Sequence, residues 1–286
     1  MRSGWYPEGA ASAEDRLRFY ATRFPLVEVD SSYYYLPSER NAELWAKRSP
    51  PGFRFNVKAF SLLTGHPTRA DALPKGIPVP QGKSRVYAQD LEPEVVSEVW
   101  DRFLSALAPL AEAGKLGSVL LQFPPWLGIS RAAKEQIMRC ASRCQPLRTC
   151  VELRNATWFD RANARETLDF LEGHGLGYVA VDMPQGFASS VPPLAVATAE
   201  LATVRFHGRN ASEWESGSVQ RRFRYLYSAE ELAQWVPRIR SMAGSARETH
   251  VLMNNCHSDY AQRNATQLAA MLRDAGADVA GQAGLG

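Results

Sequence analysis

Apolar residues recur along this chain with two periods, and stretches of the two kinds alternate. Short runs rich in β-branched residues fall at Leu26–Asp30, Phe53–Lys58, Ser118–Phe123, Cys150–Arg154, Tyr178–Asp182, Thr203–His207 and His250–Asn254. Their brevity suits strands buried in a parallel sheet. Between them the spacing turns helical over Ala13–Phe24, Glu39–Arg48, Glu94–Ala113, Arg131–Cys144, Arg161–His174, Ala229–Met242 and Tyr260–Ala275. Glycine-bearing stops at 114–117 and 173–177 end several of these helices.

Alternation repeated this often predicts a parallel α/β architecture. An open doubly wound sheet would carry a glycine-rich phosphate loop after its first strand. Neither G-x-G-x-x-G nor G-x-x-x-x-G-K-[ST] occurs, so the expected class is a TIM (β/α)8-type barrel. Residues 1–275 read as one domain, and the Ala/Gly-rich residues 276–286 as a frayed tail. Seven strands are one short of eight. The chain opens on the turn-like SGWYPEG directly before a helix, so the first strand is expected to be missing. One excursion, Thr64–Pro93, carries five prolines together with Lys75, Lys83 and Arg85. It is expected over the C-terminal mouth, as a lid or as a tethered surface loop.

Strand side chains alternate between two faces. Val27, Val29, Val57, Leu121, Val151, Leu153, Val179, Val181, Phe206, Val251 and Met253 are therefore expected against the helices. The polar set is expected to point inward at the C-terminal strand ends: Glu28 and Asp30, Asn56 and Lys58, Gln122, Glu152 and Arg154, Asp182, Arg205, His207 and Arg209, then Asn254 with Asn255. Burying so many charges is costly unless they pair or serve a ligand. Barrel enzymes keep their sites at this end. Internal ion pairs such as Glu152–Arg154 or Asp182–Arg205 are the competing explanation. Loop residues Tyr35, His66, Trp158 and Trp214 add stacking surfaces beside the arginines.

Composition changes this picture little. The chain has 286 residues, 45% of them hydrophobic and 22% charged. Lys and Arg exceed Asp and Glu by 33 − 30 = 3, which does not itself argue for nucleic acid. No apolar run nears the ~20 residues that span a bilayer, and the N-terminus has no signal-peptide core, so a cytoplasmic protein is expected. Cys140, Cys144, Cys150 and Cys256 lack zinc-ligand spacing and read as small packing residues.

The segments VEVDSSYYYLPS, GFRFNVKAF with LTGHPT, LLQFPPW, VELRNATWF, VAVDMPQG, VRFHGRN and NNCHSDYAQRNA together resemble the YecE-like family, domain of unknown function 72. The resemblance runs from Ser3 to about residue 273. It implies a TIM-type barrel and brings no established activity; links to endonuclease IV-like and sugar-isomerase-like barrels are analogies of fold. It also implies that relatives begin with a strand bearing a Gly-Thr-x-x-Trp-like motif just upstream of Ser3, absent here through a late start codon or a truncation.

The first expected function is an enzyme, a hydrolase or isomerase, acting on an anionic substrate that is phosphorylated and sugar-like, or a nucleotide. Glu152, Asp182 and His207 are its candidate catalytic groups. Asp30, Tyr35, Lys58, His66, Gln122, Arg154, Trp158, Arg205, Arg209, Trp214, Asn254 and Asn255 are its candidate substrate-binding residues. No cofactor is identified. A divalent metal on Glu152, Asp182 and His207 is the alternative, and five histidines are too few for a trinuclear zinc site. The second function is a nucleic-acid-binding module or an endonuclease IV-like phosphodiesterase. Its support is the basic excursion and the run Arg221-Arg222-Phe223-Arg224-Tyr225, which a basic surface turn also explains. A scaffold binding a small anion or a partner protein is the third. The oligomeric state is not readable.

Overall fold

The computed structural model describes residues 4–281. Their seven parallel strands keep chain order, which gives the chain the α/β class of TIM-type barrels. They divide into two compact units, Ser12–Val151 and residues 4–11 with Glu152–Gly281. No strand precedes Leu26 among the described residues. The expected frayed tail lies, from residue 282 on, outside the described residues.

In the unit Ser12–Val151, α1 (Ala13–Ala21) starts at a capping box. The Ser12 hydroxyl accepts from the Asp15 N–H while the Asp15 carboxylate accepts from the Ser12 N–H. The helix stops short of the expected Phe24 because Pro25 bars a helical residue before it. Then follow β1 (Leu26–Val29), α2 (Glu39–Arg48), β2 (Arg54–Lys58), the short antiparallel pair β3 (Thr68–Arg69) and β4 (Arg85–Val86), α3 (Pro93–Glu112), β5 (Leu116–Gln122) and α4 (Arg131–Cys144). Ser38 and Ser130 cap α2 and α4, and Pro93 takes the first turn of α3, where no N–H is needed. The last strand to begin in the unit is β6 (Thr149–Glu152), whose final residue, Glu152, is the first of the other unit's long segment.

Register aligns Glu28 with Asn56, Asn56 with Ser118 and Lys58 with Leu120. Paired positions share a face, so Glu28, Asn56, Lys58 and Gln122 lie on one face of these strands, as alternation expects. The excursion is folded on itself and fastened to a neighbouring helix: the β3–β4 pairing, the Lys83–Asp90 ion pair and buried Ala72, Ile77 and Val86 order it, and Arg102 donates to the Lys75 carbonyl.

The other unit adds α5 (Ala164–Gly173), β7 (Gly177–Asp182), β8 (Leu201–Phe206), α6 (Val219–Arg222), α7 (Ala229–Ala233), α8 (Val236–Ser245), β9 (Glu248–Met253) and α9 (Tyr260–Asp274). β7 and β8 are buried on both faces, and each fully buried Val, Leu or Phe contributes roughly 1.5–3 kcal/mol. The connection from β7 to β8 has no helix and is tied by side chains: Thr198 Oγ1 accepts from the Tyr178 N–H and donates to the Leu176 carbonyl. The single helix expected over Ala229–Met242 is two. Pro237 lacks an N–H and disfavours helix just before it, so the chain turns at Gln234–Trp235 and Trp235 packs inward.

Register also corrects one face. Val181 lies opposite Arg205, and Asp182 opposite Phe206. Asp182 therefore lies on the helix-packed face with Phe206, not on the face of Arg205 where simple alternation put it.

Candidate functional site

Glu152 closes β6 and is fully buried. A buried carboxylate needs partners, and three side chains supply them. Arg205, from the facing side of β8, donates to Oε2 at 2.5 Å, and Arg154 donates to Oε1 at 2.8 Å. His207, just past β8, lies with Nε2 3.0 Å from the same Oε1. On its other side Asn254, just past β9, lies 3.0 Å from His207 Nδ1. The consistent proton pattern is Nε2–H donating to the carboxylate and Nδ1 accepting from the Asn254 amide. Burial would raise the Glu152 carboxyl, but Arg205, His207 and Arg154 outweigh it and hold it well below the usual range. Burial also lowers His207 to about 4, against the pull of Glu152, so the ring is neutral at pH 7.

Asp182 anchors a second cluster. Its Oδ1 accepts from Tyr227 Oη (2.7 Å) and Arg209 Nε (2.9 Å), its Oδ2 from Trp235 Nε1 (2.6 Å) and Arg209 Nη2 (2.7 Å). The expected Asp182–Arg205 pair is thus replaced by Asp182–Arg209 and Glu152–Arg205. Spacing by two failed for Arg209 because the strand ends at Phe206 and Gly208 turns left-handed, with φ +86°. A Cβ on Gly208 would sit 2.7 Å from Tyr225 Cβ, so the backbone approach itself excludes a side chain.

The loop 208–228 is fastened at its base. The Tyr227 hydroxyl accepts from the Gly208 N–H, Asn210 donates to the Arg221 carbonyl, Asn255 to the Tyr225 carbonyl and Asn264 to the Tyr227 carbonyl. Trp214, held by Ser189, is buried, and two guanidinium groups sit over its ring: Arg154 at 5.2 Å and Arg222 at 5.3 Å from the centroid. The Phe223 ring lies 5.9 Å from His207. Burial and the charge of Arg154 depress Arg222, with only partial relief from the exposed Glu215. The Arg222 Nε–H is buried without a hydrogen-bond partner among the described residues.

Of the other expected site residues, Trp158 is fully buried and its carbonyl accepts from Thr167, a packing role. Asn255, also fully buried, is a loop anchor. In the unit Ser12–Val151, Lys58 Nζ lies 3.0 Å from Asp30 Oδ1 and 4.3 Å above the Tyr33 ring. His66 is buried between Tyr33 and Trp126, Gln122 is half-buried on the Lys58 face, and Tyr35 is exposed. The metal set Glu152, Asp182 and His207 does not assemble, because Asp182 lies on the opposite face of the sheet. Among the described residues no three His, Cys, Asp or Glu side chains group to hold a metal ion. No described helix is long and apolar enough to cross a membrane.

Reading the sequence overlooked Tyr227, Trp235 and the inward turn of Arg222 and Phe223. The break before Pro237 was the available signal for Trp235. Nothing in the RRFRY run marks which of its members turn in.

Parallel strands in chain order, with polar side chains gathered past their C-terminal ends, define an α/β protein of the TIM-barrel class. The sequence matches the family described as "Protein of unknown function DUF72" over residues 1–284, and the chain belongs to that family. It is 32% identical over 282 residues to the UPF0759 protein YunF of Bacillus subtilis (strain 168), covering 94% of this chain and 93% of that one. The solved DUF72 family protein EF0366 of Enterococcus faecalis V583 is 30% identical with a TM-score of 0.76, over 90% of this chain and 88% of that one. TM1631 of Thermotoga maritima MSB8, also a DUF72 family protein, is 29% identical with a TM-score of 0.76, over 94% and 92%.

Proposed function

We propose that this protein acts on a small phosphate-bearing substrate, sugar-like or a nucleotide, whose phosphate is held between Arg154 and Arg222. The observation that carries this reading is the pair of guanidinium groups over Trp214. Arg154, Arg205 and Arg222 bring three positive charges and Glu152 one negative charge with His207 neutral, so these groups, leaving aside the solvent-exposed Glu215 near Arg222, carry two positive charges in excess. A phosphomonoester, carrying about −1.5 to −2 charges at pH 7, balances that excess; a phosphodiester balances half of it. Planar guanidinium groups suit phosphate oxygens in paired contacts.

Glu152 and His207 are saturated by neighbouring side chains, an arrangement that suits fixing Arg154 more than releasing protons. The same holds for Asp182 and the loop that carries Arg222. The nucleic-acid reading is less well supported by the basic run, because Arg222 and Phe223 turn toward Trp214 and His207 while Arg221 and Arg224 face outward. Thermal shift with glucose 6-phosphate and AMP tests the proposal. A ligand at ~100 times its Kd stabilises by about 2.7 kcal/mol, a rise of several degrees. That rise is expected in the wild type, and about half of it or less, about 1.4 kcal/mol for a tenfold weaker ligand, in Arg222→Met. No rise, or the same rise in both, refutes it.

A further inference from the structure

Beside the two arginines stands an aromatic ring to which the phosphate alone gives no role. Phe223 directly follows Arg222, and its ring lies 5.9 Å from that of His207 at an angle of 42°. His207 Nε2 is in turn 3.2 Å from Arg154 Nη1. Arg154 and Arg222 both sit over the Trp214 ring. These contacts close a circuit, Arg154, His207, Phe223, Arg222 and Trp214, inside the unit that holds Glu152–Gly281. A phosphate held by the two arginines therefore has Phe223 close beside it.

The two carbon rings of the circuit differ in what they offer a ligand. Trp214 is buried, its indole N–H donates to Ser189, and the guanidinium groups cover it. Phe223 is half-buried, and the imidazole meets it at a tilt rather than face to face. The phenyl ring thus keeps apolar surface in water next to the cations, and a second flat ring laid on it would remove that surface from solvent.

The polar side chains around it favour such a ring over a richly hydroxylated ligand. Sugar hydroxyls need partners, and these side chains already serve each other: Glu152 accepts from Arg154 and Arg205, and His207 meets Glu152 through one nitrogen and Asn254 through the other. A planar base needs no such partner, since every base presents a π-face. We infer that the substrate is a nucleoside 5′-monophosphate, its phosphate between Arg154 and Arg222 and its base stacked on Phe223. Phenylalanine reads no base edge, so preference among bases follows stacking strength, purines ahead of pyrimidines.

This inference rests on the phosphate reading, and ribose 5-phosphate, which carries the same phosphate and sugar without a base, separates the two. Calorimetric titration of AMP, UMP and ribose 5-phosphate into the full chain tests it. AMP is expected to bind roughly tenfold tighter than ribose 5-phosphate, the scale of one stacked base, with UMP between them. Phe223→Leu keeps apolar bulk without the ring and is expected to bring AMP down to the affinity of ribose 5-phosphate, while Phe223→Trp keeps the preference. Equal affinities for AMP and ribose 5-phosphate in the wild type would overturn the nucleotide and leave the phosphate site standing. A preference that survives Phe223→Leu would also overturn it, as would an equal loss of both ligands, which marks a ring that only shapes the loop. Binding of neither ligand by the wild type would remove both readings.

Discussion

Arg205 and Glu152 form an ion pair in which neither side chain has any exposure to solvent. Removing one partner leaves the other charged and buried, which typically costs 3–5 kcal/mol. Arg205→Met should therefore lower Tm on the order of 10 °C. The double variant Glu152→Leu/Arg205→Met should lose less than the two single changes added together, because it leaves less uncompensated charge. Calorimetric melting of the three variants checks this, and strict additivity would contradict it.

His207 gives a pH dependence of definite sign. Its unfolded value is near 6.5 and its folded value about 4, so between these the unfolded chain binds a proton that the folded chain does not. Stability is complete above pH 6.5 and declines as pH falls toward 4, by roughly 3 kcal/mol from this group. Glu152 is shifted in the same direction: its contribution is present above pH ~4.5 and is lost as pH falls below that. Urea midpoints at pH 7.5, 5.5 and 4.5 should fall in that order, and His207→Gln should flatten the upper part of the decline. A midpoint independent of pH would count against a neutral, buried imidazole.

How much of this was legible depended on whether burial marks a face. In β1 and β2, polar residues alternate with apolar ones, and the shared polar face was readable because Glu28, Asn56 and Lys58 interrupt apolar runs. Gly177–Asp182 is buried on both faces, so hydrophobicity marks neither side. Simple alternation puts a polar residue at the end of such a strand inward, and only pairing with β8 shows that Asp182 faces Tyr227 and Trp235. Arg222 was visible only as one member of a basic run, because a short helix and a loop, which have no period to read, decide where its side chain points.

Gly208 is where the loop's path is fixed. Gly208→Ala meets both a left-handed backbone and Tyr225 Cβ, and should cost about 2 kcal/mol or more. Gly52→Ala, at φ +79° with open space around it, should cost about 1 kcal/mol. Chemical denaturation of the two variants side by side checks the difference, and equal losses would show that the approach to Tyr225 is soft.

Tyr227→Phe removes a hydroxyl that accepts from the Gly208 N–H and donates to Asp182. The loss should be about 1–3 kcal/mol, since a buried N–H is left unpaired. Because the same hydroxyl fastens the loop that carries Arg222, affinity for phosphomonoesters should fall several-fold as well. Denaturation and binding measured on one preparation separate the two effects, and a stability loss with unchanged affinity would uncouple the loop from the site.

The two-arginine site is tested most directly by calorimetric titration of phenyl phosphate, a monoester, into the wild type and Arg222→Met at pH 7.5, with dimethyl phosphate as the monoanionic diester control. Wild type should bind the monoester, bind the diester more weakly, and lose roughly tenfold or more of its monoester affinity in the variant, the scale expected for one charge-assisted contact, while Tm is held. Equal affinity in wild type and variant, or a diester bound as tightly as the monoester, would contradict a phosphate held between Arg154 and Arg222.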